Sequence, residues 1–79
     1  MNDYVLVEIR YRDGSQDTQW IKVGAGRGAA CMKAYAIDWR DNTNKWYEVG
    51  DGYFVNTDHI ASISFDYQET PPGTSVYRA

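Results

Sequence analysis

The N-terminal part of the chain alternates apolar and polar side chains with a period of two, which is typical of a β-strand with one buried face. The dipeptide Asp13-Gly14 follows this segment and is a strong signal for a two-residue hairpin turn. With such a turn, Val7 lies opposite Trp20 and Leu6 lies opposite Ile21 on the returning strand. The side chains of this first strand that we expect to face the core are those of Val5, Val7, Ile9 and Tyr11.

A glycine-rich loop then leads into a segment whose apolar residues recur at helical spacing, which predicts a helix over residues 28–40. Successive residues of an α-helix are ~100° apart, so the large apolar side chains gather on one face. This expected core face contains Cys31, Met32, Tyr35, Ala36 and Trp39. A second, weaker apolar stripe lies on the far side and is a candidate surface for a homodimer, formed by Ala30, Ala34 and Ile37.

Three further strand patterns follow the helix. Two short segments flank the turn Gly50-Asp51-Gly52 and predict a second hairpin. Residues 57–60 predict a single helical turn, which we expect Asp58 to cap. In the next segment apolar and polar residues alternate strictly, which predicts a strand with one solvent-exposed face and one face towards the core. The side chains expected on its core face are those of Ala61, Ile63, Phe65 and Tyr67.

The strand pattern stops at the turn-forming residues 70–74, and residues 70–79 predict an edge strand or a docked tail. No internal repeat or linker divides the chain, which predicts a single domain over residues 1–79. The predicted fold class is α+β, with a small antiparallel sheet of about five strands and one helix packed on it, in the order ββαβββ.

Charge is distributed unevenly along the 79 residues, whose formal net charge is −3. Residues 1–45 hold six acidic and seven basic side chains, whereas residues 46–77 hold five acidic side chains and no lysine or arginine. A single cysteine, Cys31, excludes an intrachain disulfide and favours a reducing compartment. The sequence predicts no signal peptide and no membrane span, so we expect a cytoplasmic protein, in the host cytoplasm if it is phage-encoded.

The loop Val23–Ala30 has the G-x-G-x-x-A spacing of a dinucleotide-binding turn, and Glu48 follows at about the distance of a ribose-binding acid. That motif requires a parallel βαβ unit, whereas the hairpins on both sides of the helix predict antiparallel strands. We therefore expect no nucleotide cofactor. A simpler anion site is a candidate here, formed by the N–H groups of Gly26, Arg27 and Gly28 and by the Arg27 guanidinium.

Few residues are suited to catalysis or to metal binding. The only histidine, His59, adjoins Asp58 and has Asp51 before it and Asp66 after it, and these residues do not form the ligand spacing of a zinc or calcium site. Cys31 has no histidine near it in sequence and is expected to contribute to packing. The sequence thus predicts a protein that is not an enzyme and has no metal or cofactor.

Two surfaces are candidates for macromolecular binding. Cations and an aromatic ring could contact an anion or single-stranded nucleic acid through Arg10, Arg12, Trp20 and Arg27. The acidic isoelectric point, about 4.8, makes nucleic acid the less favoured partner. The favoured surface combines carboxylates with tyrosines and suits a protein partner with a basic surface. Its predicted residues are Glu48, Asp51, Tyr53, Asp58, Asp66, Tyr67 and Glu69.

In size, acidity and tyrosine content the chain resembles the small inhibitors made by phages and mobile elements, among them anti-CRISPR and other counter-defence proteins. The resemblance is one of general character and involves no shared motif. It implies an inhibitor that docks on a basic protein and blocks its nucleic-acid groove. The alternatives are a small regulatory protein that binds single-stranded nucleic acid and a homo-oligomeric structural module.

Overall fold

The computed structural model describes residues 2–49, 52–69 and 76–78. It confirms an α+β fold whose elements up to residue 68 follow the predicted order ββαβββ, and a short sixth strand comes after them. The elements are β1 (Asp3–Tyr11), β2 (Gln16–Val23), α1 (Gly28–Asp41), β3 (Trp46–Val49), β4 (Tyr53–Asn56), a 3₁₀ turn (Thr57–His59), β5 (Ile60–Gln68) and β6 (Val76–Arg78).

The strands divide between two sheets. Four strands form one sheet in the order β5-β1-β2-β6, in which β1 pairs antiparallel with both β2 and β5. β6 pairs parallel with β2, with Val76 opposite Trp20. β3 and β4 form a separate antiparallel pair. β5 therefore joins β1 and not the second hairpin, which forms a separate two-stranded sheet.

The β1–β2 hairpin has a register one residue away from the predicted one. The Tyr11 N–H donates to the Ser15 carbonyl at 2.8 Å and the Gly14 N–H donates to the Tyr11 carbonyl at 3.1 Å, which closes a three-residue loop. Gly14 has φ of 93°, the left-handed conformation that this loop type places at its third residue. Val7 consequently lies opposite Gln19, so the predicted pairing of Val7 with Trp20 was wrong.

This shift of register changes which side chains of β2 face the core. Trp20 moves to the outer face of the sheet, whereas Gln19 and Asp17 lie on the inner face. Both polar groups are hydrogen-bonded there, because the Asp17 carboxylate accepts from the Gln19 amide at 2.8 Å and from the Tyr53 hydroxyl at 2.7 Å. The hydrogen bond to Asp17 raises the pKa of Tyr53 well above its usual range.

The core lies between the inner face of the larger sheet and a second layer made of α1 and the β3–β4 pair. Its largest fully buried side chains are those of Ile9 and Ile21. Tyr11 is only half-buried at the edge of this cluster. The buried members of this cluster are Val5, Val7, Ile9, Ile21, Val23, Tyr47, Val49, Val55 and Ile60.

Helix α1 packs on β5 and β1 with the face that its periodicity predicts. The side chains of Cys31, Met32, Tyr35 and Trp39 are partly buried against the core. The stripe formed by Ala30, Ala34 and Ile37 is exposed on the opposite side. Among the described residues, no helix is both long and apolar enough to cross a membrane.

The predicted helical turn is present as the 3₁₀ turn Thr57–His59, but its cap differs from the prediction. The side chain of Asn56 accepts the Asp58 backbone N–H at 2.9 Å, so Asn56 is the cap and Asp58 is the capped residue. An amide oxygen two residues earlier in the chain thus performs the role expected of the carboxylate.

Candidate functional site

The β3–β4 pair presents two aromatic rings to solvent. Its alternation buries Tyr47 and Val55 and turns the neighbouring side chains outwards. On this outer face Glu48 lies directly opposite Phe54, and Trp46 occupies the diagonal position next to Phe54. Trp46 is 54% exposed and Phe54 is 57% exposed, which is unusual for such large apolar side chains.

A groove separates this hairpin from the C-terminal half of α1. Tyr47 attaches the hairpin to the helix, because its hydroxyl donates to the Tyr35 carbonyl at 3.2 Å and its ring packs edge-on against Trp39, with 5.2 Å between ring centres. The cavity volume of the groove is about 480 Å³. Its lining residues are Tyr35, Asp38, Asn42, Asn44, Trp46, Tyr47, Glu48 and Phe54.

The groove is electronegative, since its lining includes two carboxylates and no lysine or arginine. Burial, followed by the charge of Asp38, raises the pKa of Tyr47 to about 12. Burial is also the main cause that raises the pKa of Tyr35, with contributions from Asp38 and Glu48. Glu48 is held in place by the Gly52 N–H, which donates to its carboxylate at 3.0 Å. A ligand with a cationic group beside an apolar group fits this arrangement.

Only part of the predicted acidic surface lies in the groove. Glu48 lines it, whereas the hydroxyl of Tyr53 points to Asp17 in the other sheet. Asp51 falls outside the described residues. Asp38 was absent from the predicted set, because it belongs to the helix and only the tertiary fold brings it beside the hairpin.

The remaining predicted partner-binding residues are spread over other parts of the molecule. Asp58 lies in the 3₁₀ turn before β5. Asp66 lies six residues after Ile60, the first residue of β5, and this separation corresponds to about 20 Å at the usual rise of a strand. Tyr67 points to the opposite face of the sheet and contacts the start of α1, while Glu69 follows the end of β5. The fold does not bring these four residues together.

The residues predicted to contact an anion or nucleic acid are also separated. Arg10 and Trp20 lie on the outer face of the larger sheet, which they share with the carboxylates of Glu8 and Asp66. Arg12 lies in the hairpin loop at one end of β1. Arg27 lies near the opposite end of β1, because it precedes Gly28, whose N–H donates to Asp3 at the start of that strand. The outer face therefore has mixed charge.

The glycine loop is engaged within the chain. The Gly28 N–H donates to a carboxylate oxygen of Asp3 at 2.8 Å, and the Arg27 N–H donates to the Gly24 carbonyl at 3.0 Å. Two of the three N–H groups of the candidate anion site are thus already bonded. The Asp3 carboxylate is buried and supplies the negative charge that a helix N-terminus favours. Sequence reasoning missed this contact, which links residues 25 positions apart.

The structure places His59 beside the loop of the first hairpin. His59 lines a separate cavity of about 490 Å³ with Tyr11, Arg12, Asp13 and Ser15. Hydrogen bonds from Ser15 lower the pKa of Asp13, and His59 makes only a minor contribution. No group of three or more potential metal ligands occurs among the residues that the structure describes. Cys31 is half-buried against the core as a free thiol.

Neither a protein-family model, nor a curated protein, nor a solved structure shows a significant similarity to this chain.

Proposed function

We propose that this protein is a non-enzymatic binding protein whose groove between α1 and the β3–β4 pair holds a basic, partly apolar segment of a partner protein. The observation that carries the proposal is the exposure of Trp46 and Phe54, side by side on the outer face of the hairpin. The carboxylates of Asp38 and Glu48 line the same groove. Large aromatic side chains, tryptophan among them, are enriched in protein-binding hot spots.

Both parts of the surface would contribute to binding. Covering the exposed half of one ring removes on the order of 100 Å² of apolar surface from water, which favours binding by roughly 2.5 kcal/mol before the costs of association. The carboxylates of Asp38 and Glu48 add long-range attraction, which raises the association rate for a basic partner. Affinity therefore depends mainly on the rings, and selectivity depends mainly on the charges.

Basic surfaces with apolar neighbours are common on nucleic-acid-binding proteins, which places such proteins among the expected partners. Occupation of their groove by this domain would exclude the nucleic acid, as inhibitors from phages and mobile elements, including anti-CRISPR proteins, do by surface mimicry. This proposal places the protein in the cytoplasm, which the single cysteine also favours.

The direct test is a titration of the isotope-labelled protein with a short peptide that alternates arginine and leucine, followed by amide chemical shifts. The control ligand has glutamate in place of arginine. We expect shifts at Trp46, Glu48 and Phe54 with the basic peptide only. The absence of binding, or shifts confined to other surfaces, would contradict the proposal.

Matched variants separate the groove from the overall charge. The pair Asp38→Asn and Glu48→Gln is expected to weaken binding of the basic peptide by about tenfold and to reduce its salt dependence. The control pair Asp58→Asn and Asp66→Asn removes the same charge outside the groove and is expected to change affinity less than about twofold. Equal losses from both pairs would show that net charge, and not the groove, attracts the peptide.

The contribution of the rings is tested in the same titration. Phe54→Ala is expected to weaken binding by at least about tenfold, because it removes an apolar contact in the groove. Ile37→Ala is the matched control, since Ile37 is 48% exposed and does not line the groove. An unchanged affinity for Phe54→Ala would exclude the hairpin face as the binding surface.

A further inference from the structure

β5 forms one edge of the four-stranded sheet, and its free side is long and regular. In the described part of the chain this strand of nine residues pairs only with β1. The Tyr11 N–H donates to the Ser15 carbonyl across the first hairpin. Because the backbone groups of successive residues in a strand point to opposite sides, the odd-numbered residues of β1 form backbone hydrogen bonds with β2 and the even-numbered ones form them with β5. Because Glu8 pairs with Ser64, the even-numbered residues of β5 bond to β1 and the odd-numbered ones point outwards.

Some of the outward-pointing backbone groups of β5 are not available for pairing with another strand. The Tyr67 N–H is capped by the side chain of its neighbour Asp66 at 2.8 Å, which blunts the C-terminal end of the edge. The same device occurs on β2, where the Thr18 N–H donates to the side chain of Asp17 at 2.9 Å. The register with β1 shifts near the start of β5, which distorts the other end. Within the described ranges, no hydrogen bond engages the outward backbone groups of the central residues 63 and 65.

The centre of this edge is complementary to itself. An antiparallel pairing of two copies of β5 about a two-fold axis at Ser64 places Ile63 of each copy opposite Phe65 of the other. Each of these two pairs exchanges both backbone hydrogen bonds and joins a β-branched side chain to an aromatic one. The same register sets Asp66 opposite Ser62 of the second copy, so no like charges face each other.

We propose that two copies of this chain pair antiparallel along β5, about an axis at Ser64, so that their four-stranded sheets join into one continuous sheet of eight strands. Edge strands are usually protected by lysine, proline or a covering element, whereas the residues at the centre of β5 are Ile63, Ser64 and Phe65. A two-fold interface needs a surface that matches itself, and this register provides one. The groove of the proposed function is lined by no residue of β5, so the two proposals rest on different residues.

The test uses the exposed Ser64, which in the dimer faces Ser64 of the second copy and within each copy pairs with Glu8. Ser64→Glu aligns four carboxylates in one row across the dimer and is expected to raise the dimer dissociation constant by at least roughly tenfold. Thr18→Glu is the matched control, because Thr18 flanks the same Glu8 on the β2 side, away from the edge. Sedimentation from about 1 µM to 1 mM measures the association.

We expect wild type and Thr18→Glu to dimerise with similar dissociation constants and Ser64→Glu to remain monomeric. An equimolar mixture of Ser64→Glu and Ser64→Lys is expected to form heterodimers, because the two introduced charges then meet as an opposite pair. A wild type that stays monomeric at the highest concentration overturns the proposal. So does a Ser64→Glu variant that dimerises as tightly as wild type.

Hydrogen exchange of the wild type provides a second measurement that does not depend on how the variants fold. In the dimer the amides of Ile63 and Phe65 are bonded, so their exchange is expected to slow by roughly tenfold or more between dilute and concentrated protein. The Ser62 and Ser64 amides bond to β1 in the monomer and are expected to be protected at both concentrations. Concentration-independent exchange at Ile63 and Phe65 contradicts the proposed pairing.

Discussion

Asp3 holds the start of α1 against the sheet, and its replacement tests how the two layers are joined. Asp3 is 6% exposed, and one of its carboxylate oxygens accepts the Gly28 N–H at 2.8 Å. No side chain within the helix caps this terminus, and the first turn contains no acidic residue. The negative charge that the N-terminus of α1 favours therefore comes from a strand 25 residues earlier in the chain.

Asp3→Asn keeps the shape and an amide oxygen while it removes the charge. A hydrogen bond to a charged group contributes about 1.5–3 kcal/mol, and a charge near a partly buried helix terminus contributes up to about 2 kcal/mol. Part of that gain is offset because a buried carboxylate is costly to desolvate and an amide is less so. We therefore expect Asp3→Asn to lower the free energy of unfolding by roughly 1–2 kcal/mol.

Urea unfolding followed by circular dichroism measures this change at neutral pH. The matched control is Glu8→Gln, which removes an exposed carboxylate from the same strand and is expected to change stability by less than about 0.5 kcal/mol. In a thermal melt, Asp3→Asn is expected to lower Tm by about 4–8 °C for each kcal/mol lost. A free energy of unfolding equal to that of wild type would refute the contribution of the Asp3 charge to the stability of this contact.

Two further predictions concern the same layer. Gly28→Ala is expected to destabilise the protein by about 1–3 kcal/mol in urea unfolding, although alanine favours helices. The added Cβ would lie 2.6 Å from the Tyr67 ring and 2.9 Å from the Asp3 carboxylate. A gain in stability would contradict this packing. The pKa of Tyr47 rises from 10.0 to about 12 on folding, so the unfolded chain loses this proton first as the pH rises. The contribution of Tyr47 to the free energy of unfolding is therefore complete below pH 10 and is lost towards pH 12, with a slope of up to about 1.4 kcal/mol per pH unit. Tyr47→Phe is expected to flatten that slope in unfolding experiments across this pH range.

Local periodicity was sufficient to predict most of the elements. The side-chain periods of strands and helices act over a few residues, so the alternation in β1 and β5 and the apolar face of α1 were readable without the fold. The helix boundary at Gly28 and the short helical turn at residues 57–59 were also predictable, since glycine-rich and Asn/Asp-rich segments mark such positions.

The same reasoning predicted part of the candidate site. The outward position of Glu48 between aromatic residues follows from alternation in the second hairpin. Asp38 was not predictable as its companion, because only the packing of Tyr47 against Tyr35 and Trp39 places the helix beside the hairpin. Contacts of this kind join residues that are distant in sequence, and no local pattern encodes them.

The sequence by itself determined which segments form strands and helix and which face of most of them is apolar, because these properties depend on neighbouring residues. Only the tertiary structure decided how the elements pair. The loop of the first hairpin has three residues and not two, which turns Trp20 outwards and brings Asp17 to the inner face. Asp17 is tolerated there because Tyr53, from the other sheet, donates a hydrogen bond to it. Asp3 is likewise buried because the start of α1 reaches it, so both positions depend on partners supplied by distant parts of the fold.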